Sequence, residues 1–343
     1  TIVIGYGVPQ TGEDDSSTTE GMKLMAKRKA VENKLNCKLK VSYATYDQVQ
    51  ASILAGDPSV DIWNLVNIPT FMNAYKSGLL QPLDSLNVMN LKDRRRYSDL
   101  TDLTIMNGQH YGFNPQTYGI WKIAISNVMF VNKKNLASFG YDMSDIYKMQ
   151  NDGTWTWSKF REIAKKCSDP VKGIFAITDA DSNFYDDLMA SNGADWIRKS
   201  GNSYKFTANE AKAQEVMNYY KSLISDKSLS VTYDPKVGSI NPNDDSGSMN
   251  FDYDLITFKN GKTTFLDSMA YLPSMNLFGS MQNNIGVVFC PKPDGAKGYK
   301  SYTNHACMMG IPVYGGKDAN LRARETATVR EGGWGGVSWG PGG

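Results

Sequence analysis

Apolar and polar residues alternate along the first eighty positions with two distinct periods. Residues 2–6 open on Ile2-Val3-Ile4 and read as a strand. After a polar loop at 10–19, Met22, Leu24, Met25 and Val31 recur among Lys and Glu at roughly helical intervals, which predicts a helix over 19–33. Leu39-Lys40-Val41-Ser42-Tyr43 then switches to the period of a half-buried strand. A helix is predicted over 46–55, where Gly56-Asp57-Pro58 breaks it, then a strand over 60–66 and a helix over 69–77 closed by Gly78. The order β-α-β-α-β-α predicts an α/β fold, a mostly parallel sheet with helices on both faces.

A second alternation follows. Asn107-Gly108 turns into a strand through Phe113, residues 114–120 carry Pro and Gly, and strand character returns over 121–125 and 128–131. Residues 157–167 form an amphipathic helix with Thr154 or Thr156 available as its cap. Strands are predicted at 173–177, 262–269 and 285–289, helices at 185–191 and 209–225, and a loop over the Pro, Asn, Asp and Gly residues of 234–248. Two α/β lobes result.

The chain has 343 residues, enough for about two domains at roughly 100–200 residues each. With 41% hydrophobic and 21% charged residues it has a folded composition. Lys and Arg number 37 against 35 Asp and Glu; this balance argues against a general nucleic-acid or membrane-surface binder. No run approaches the ~18 apolar residues of a membrane-spanning helix. The chain starts at Thr1 without a charged leader, so an exported protein with its signal segment already removed is expected.

Candidate chemistry narrows further. The four cysteines, Cys37, Cys167, Cys290 and Cys307, have no C-x-x-C spacing, and His110 and His305 lie far apart, which argues against a structural zinc site. Cys290 and Cys307 flank neighbouring strand candidates, and whether they pair is left open. Gly7-Val8-Pro9-Gln10-Thr11-Gly12-Glu13 is a near miss to a phosphate loop, with a carboxylate where the lysine should stand. Gly261-Lys262-Thr263-Thr264 lacks the earlier glycine, since Ile256 occupies that position. Asp179-Ala180-Asp181-Ser182-Asn183 opens like a calcium loop, but Phe184 and Ala190 replace its glycine and its bidentate glutamate. Arg94-Arg95-Arg96 reads as a solvated face. No nucleophile elbow or paired acid and base stands out, and neither an enzyme nor a cofactor is expected.

Several segments taken together resemble the family 1 extracellular solute-binding proteins of carbohydrate ABC importers, a family related to maltose-binding protein. They are Ala55-Gly56-Asp57-Pro58-Ser59-Val60-Asp61-Ile62-Trp63, Tyr75-Lys76-Ser77-Gly78-Leu79-Leu80-Gln81-Pro82-Leu83-Asp84, and Asn107-Gly108-Gln109-His110-Tyr111-Gly112-Phe113. Val128-Met129-Phe130-Val131-Asn132-Lys133, Thr154-Trp155-Thr156-Trp157-Ser158-Lys159-Phe160, Phe258-Lys259-Asn260-Gly261-Lys262-Thr263 and Ile285-Gly286-Val287-Val288-Phe289-Cys290-Pro291 continue the series. Their order and spacing extend from residue 2 to about residue 319.

The resemblance implies a two-lobe periplasmic-binding-protein-like fold of type II with a ligand cleft between the lobes. Lobe 1 is expected at 1–115 plus 288–321, lobe 2 at 122–287 and a hinge at 114–121. The C-terminal part departs from the family, since the Gly/Trp tail at 322–343 has no structural period and the last helices of relatives have no counterpart, as if truncated. The expected ligand is a carbohydrate, held by an aromatic platform and planar polar groups. Matching to the family puts Gln10, Thr11, Asn67, Trp121, Asp181, Asn183, Phe184, Tyr185 and Tyr271 at the cleft. For each the competing reading is ordinary packing, most of all for Phe184 and Tyr271. Another polar solute (a peptide, a polyamine or a glycan-derived acid) is the alternative ligand, and a glycan-degrading enzyme the alternative class. The resemblance further implies ABC permease subunits as partners, a monomer, and a place outside the cytoplasm, with a lipid anchor on an N-terminal Cys preceding this chain.

Overall fold

A computed structural model describes residues 1–6, 19–65, 67–86, 89–93, 97, 99–114, 127–179, 182–200, 203–234, 249–270, 272–275, 278–302 and 308–315. The chain divides into two compact units, Thr1–Ala124 with Asn304–Gly343, and Ile125–Thr303.

The first unit begins with β1 (Ile2–Tyr6), α1 (Thr19–Leu35), β2 (Leu39–Tyr43), α2 (Tyr46–Leu54), β3 (Ile62–Leu65) and α3 (Ile68–Lys76), followed by the short pair β4 (Ile105–Met106) and β5 (Gln109–His110). β1 pairs in parallel with both β2 and β3, and the strand Met308–Gly310 returns to lie antiparallel on β3, so the spatial order is β2, β1, β3, return strand. Local chemistry sets the helix ends. α2 starts at a capping box in which Thr45 Oγ1 accepts from the Gln48 N–H at 3.3 Å and Gln48 Oε1 accepts from the Thr45 N–H at 2.9 Å. Gly78, at φ +67°, takes the left-handed conformation that lets the chain leave α3. β3 is buried at all four positions, as a central strand requires. Ile4, Ile62, Tyr97 and Phe113 pack on one side of the sheet, and Val49, Trp63, Leu65 and Phe71 on the other.

The second unit runs β6 (Asn127–Asn132), α4 (Lys133–Ser138), α5 (Met143–Asn151), α6 (Trp157–Lys166), β7 (Ile177–Thr178), α7 (Ser182–Ser191), β8 (Ile197–Ser200), β9 (Ser203–Phe206), α8 (Ala211–Ile224), β10 (Ser230–Val231), α9 (Met249–Lys259), β11 (Phe265–Met269) and β12 (Ile285–Val288). β10 and β7 are parallel, and β6 lies antiparallel between β11 and β12. Main-chain bonds from Phe175 N to Lys262 O (2.8 Å) and from Phe265 N to Ala176 O (2.9 Å) join the two pieces. The order is therefore β10, β7, β11, β6, β12, whose first four strands repeat the first unit's arrangement of three parallel strands and an antiparallel neighbour, with β12 added at the edge. Its core collects Trp155, Phe160, Phe184, Phe265 and Leu223, all buried.

Three features differ from the sequence expectation. Residues 289–302, expected in lobe 1, pack with the second unit: the Trp155 indole N–H donates to Phe289 O at 2.9 Å, the Trp157 N–H to Pro291 O at 3.0 Å, and Ser158 Oγ to Asp294 Oδ2 at 2.7 Å. Helices α4, α5 and α9 occupy stretches with no anticipated element. On α9 the buried side chains include Asp254 and Thr257 beside Tyr253, Leu255 and Phe258, so polar residues interrupt the apolar period. The β8–β9 hairpin presents its paired Ile197 and Phe206 to solvent and lacks the buried alternation that marks a strand. The expected strand at 121–125, the hinge at 114–121 beyond Asn114, most of the 234–248 loop, Arg94-Arg95-Arg96 and the 322–343 tail lie outside the described residues.

Candidate functional site

In a doubly wound sheet the ligand crevice lies beyond the carboxyl ends of the parallel strands. In the first unit β1 ends at Tyr6, whose register partners are Tyr43 of β2 and Asn64 of β3. Gln10 and Thr11 follow β1 but lie outside the described residues. Asn67 follows β3 and caps α3, its Oδ1 accepting from the Thr70 N–H at 2.9 Å and from Thr70 Oγ1 at 2.8 Å. One end of its amide is thus fixed.

Asn64 was not anticipated. It is buried in β3, one position from the strand's carboxyl end, and neither Oδ1 nor Nδ2 has a hydrogen-bond partner among the described residues. An orphaned buried amide costs about 1–3 kcal/mol, so its retention calls for a partner. The sequence signal was a lone polar residue inside the buried run Ile62-Trp63-Asn64-Leu65.

The second unit gathers a similar set. β7 ends at Thr178, β11 ends at Met269, and Asn127 opens β6 directly opposite Met269. Asn127 has no exposed surface, and both its amide atoms lack partners among the described residues, as in Asn64. Asp181 and Tyr271 follow β7 and β11 and lie outside the described residues, as does Trp121. Asp179, also after β7, is committed elsewhere: its Oδ1 accepts from the Tyr233 N–H at 2.7 Å and its Oδ2 pairs with Lys227 at 3.1 Å. Because α7 starts at Ser182, Ser182 and Asn183 are helical residues and not positions of a calcium loop. Gly261-Lys262-Thr263-Thr264 likewise feeds sheet hydrogen bonds through Lys262 O and Thr264 N.

Helical geometry sorts three consecutive candidates. Phe184, Asp187, Leu188 and Ser191 fall on one face of α7 and all are buried. Phe184, expected at the cleft, is instead core: it is fully buried, its ring edge-on to Phe160 at 5.4 Å and to Tyr220 at 6.2 Å. Asn183 and Tyr185 flank that face and are half-buried. The Tyr185 ring meets Trp196 at 5.6 Å and Tyr220 at 5.3 Å, and burial pushes its phenol pKa above the ordinary value, with Asp186 adding to the shift. Beyond this edge, a cavity of about 490 Å³ is lined by Ala194, Asp195, Arg198, Thr207, Glu210 and Lys212. Its two carboxylates already pair with Arg198 at 3.1 and 3.0 Å.

Cys290 is buried, and its suggested partner Cys307 lies outside the described residues, as does His305. His110 is held by Asp84 through Nδ1 at 3.1 Å, a structural contact beneath β5.

Known proteins share this arrangement. Over residues 15–239 the sequence matches the family described as bacterial extracellular solute-binding protein. No curated protein matches it. Among solved structures, the GacH receptor of Streptomyces glaucescens, solved unliganded and with acarbose, is 11% identical with a TM-score of 0.63, the match covering 96% of this chain and 75% of that one. An ABC-transporter-associated binding protein of B. animalis subsp. lactis, in complex with β-1,6-galactobiose, is 16% identical with a TM-score of 0.59, covering 96% and 71%. The ABC substrate-binding protein Lmo0181 of Listeria monocytogenes, in complex with cycloalternan, is 17% identical with a TM-score of 0.57, covering 96% and 74%. The fold is the two-lobe periplasmic-binding-protein-like fold. No helix among the described residues is long and apolar enough to cross a membrane. With the family match covering well over half its length, the chain belongs to the bacterial extracellular solute-binding proteins.

Proposed function

We propose that this protein captures a carbohydrate, an oligosaccharide in the first instance, for an ABC importer. The observation that carries the reading is a match running through both units to solved receptors whose ligands are acarbose, β-1,6-galactobiose and cycloalternan. The buried amides of Asn64 and Asn127 near the strand ends support it, because sugar hydroxyls are recognised by planar groups that both donate and accept. Gln10, Thr11, Asn67, Trp121, Asp181, Asn183, Tyr185 and Tyr271 are the proposed ligand contacts, with Trp121 as stacking platform at a hinge between the lobes. Phe184 is left to the core. The receptor acts as a monomer outside the cytoplasm, held by a lipid anchor, and hands its ligand to membrane permease subunits without chemical change.

Calorimetry against an oligosaccharide panel, with product analysis of every mixture, tests this reading. One-site binding of a carbohydrate with the sugar recovered intact is the expected result. Product formation would make the protein an enzyme of glycan breakdown. Binding of a peptide, polyamine or sugar acid, with no response to neutral sugars, would keep the receptor and change its ligand.

A further inference from the structure

The core of the second unit contains a polar cluster that the solute-binding reading leaves unused. Asp187 projects from the buried face of α7, Asp267 from the middle of β11, and Cys290 from the segment just after β12. One ligand atom from each, two carboxylate oxygens and a thiol sulfur, lies within 4.8 Å of the others, and all three residues are buried. Cys290 belongs to the same core cluster as Met129, Phe184, Leu188, Phe265 and Val288. No Lys, Arg or His among the described residues pairs with Asp187.

Two carboxylates cannot share such a site as bare anions. Charges a few ångströms apart in a poorly polarisable interior repel strongly, and each carries a desolvation cost of several kcal/mol. Burial and the nearby Asp186 push the Asp187 carboxyl above the ordinary carboxylate range, against the opposing influence of the Tyr302 N–H and the Asp267 side chain. Asp187 Oδ1 accepts the main-chain N–H of Tyr302. Its Oδ2, fully buried, faces no hydrogen-bond donor among the described residues, although a buried carboxylate oxygen needs a positive or donating partner. Among the described residues nothing supplies a partner for Asp187 Oδ2, and a proton or a metal cation lying between the groups would do so.

We propose that Asp187, Asp267 and Cys290 bind one divalent transition-metal ion of the zinc type. The thiol decides between cations: calcium and magnesium take all-oxygen shells, whereas one sulfur with two carboxylates suits a borderline ion such as Zn²⁺. Ligand atoms around zinc stand roughly 3.5 Å apart when its bonds are about 2.0–2.3 Å long, so small side-chain rotations close the cluster. The Cys290 S–H bond breaks to form the metal–sulfur bond, and that proton, with any proton on Asp187, leaves to solvent. Three ligands on α7, β11 and the post-β12 segment would fasten the helix, the sheet and the chain leading to Tyr302 at one point. Sequence spacing could not reveal the site, because about eighty positions separate the first ligand from the second.

Cobalt(II) is the probe, since its bond to a thiolate gives an ultraviolet charge-transfer band and intensified visible absorption. Protein treated with EDTA and verified metal-free receives Co²⁺ in its native state and, separately, during refolding, because none of the three ligands is exposed. One equivalent should produce the charge-transfer band, Zn²⁺ should bleach it, Cys290→Ser should abolish it, and Asp187→Asn should weaken binding at least tenfold. The variant Cys37→Ser/Cys167→Ser, which keeps Cys290, should retain the band whether or not the Cys290 variant folds. No band by either route, or a band lost with Cys37 and Cys167, overturns the proposal and leaves a proton shared between the two carboxyl groups.

Discussion

Phe184 and Tyr185 are neighbours in the chain with opposite surroundings, because a helix turns about 100° per residue. Phe184→Ala should lower stability by about 3–5 kcal/mol through the cavity it opens between Phe160 and Tyr220. Ligand affinity per folded molecule should stay unchanged; an affinity loss at constant urea midpoint would return Phe184 to the site. Trp121→Ala should do the reverse, keeping the thermal midpoint and losing roughly tenfold or more in affinity, about 1.4 kcal/mol. A surface carboxylate offers a pH test. Hydrogen bonds from Lys159 and Lys166 hold the Glu162 carboxyl down at about 2, from an ordinary 4.5. A depressed carboxyl stabilises the fold above its unfolded value, so this contribution is present at neutral pH and is lost as pH falls from about 4.5 through about 2. Urea midpoints of wild type and Glu162→Gln should therefore differ slightly at pH 6 and converge near pH 2, with the difference shrinking in high salt because the group is fully exposed. The burial of Phe184 was legible, since 184, 187, 188 and 191 already stand at helical spacing. That of Asn64 was legible only as an oddity, a polar residue whose missing partner no pattern specifies.

Elements whose ends are written in local chemistry were the easiest to read. α2 starts on Thr45 and α6 on Thr156, each hydroxyl accepting from an N–H three residues later. Thr45→Ala should cost about 1 kcal/mol and speed amide exchange in the first turn of α2, whereas Thr45→Ser should be nearly silent. Equal losses for the two variants would show that the methyl and not the hydroxyl is what counts. α4 escaped because it is short, with six residues, and offers too few turns for a period to register. The β8–β9 hairpin escaped for a different reason. Arg198 and Lys205, cross-strand partners, both reach Glu210 (3.0 and 2.8 Å), so ion pairs mark the inner side that apolar residues usually mark.

At the scale of the whole chain the two lobes were legible, because the β-α alternation stops and restarts. The second crossing was misplaced: nothing in the run from Phe289 to Pro293 says which core will take it, and the deciding partners are two indole N–H groups more than 130 positions earlier. The second unit is continuous in sequence and has its own sheet and core, so a fragment of residues 125–303 should fold alone with one cooperative thermal transition. A fragment of 1–124 should not, for it lacks the strand Met308–Gly310, the Phe113–Met309 bridge and the Tyr314–Asp61 hydrogen bond at 3.0 Å. Circular dichroism melts of the two fragments check both outcomes. That late strand also sets a timetable. As the polypeptide leaves the ribosome, the hydrophobic edge of β3 stays open, with Trp63 and Leu65 unpartnered on that side, until residue 310 has been made. The first unit is thus completed only once residue 310 has been made, with some 180 residues of the other unit lying in between. Throughout that interval the nascent chain carries an unpaired strand edge open to chaperones and to premature pairing.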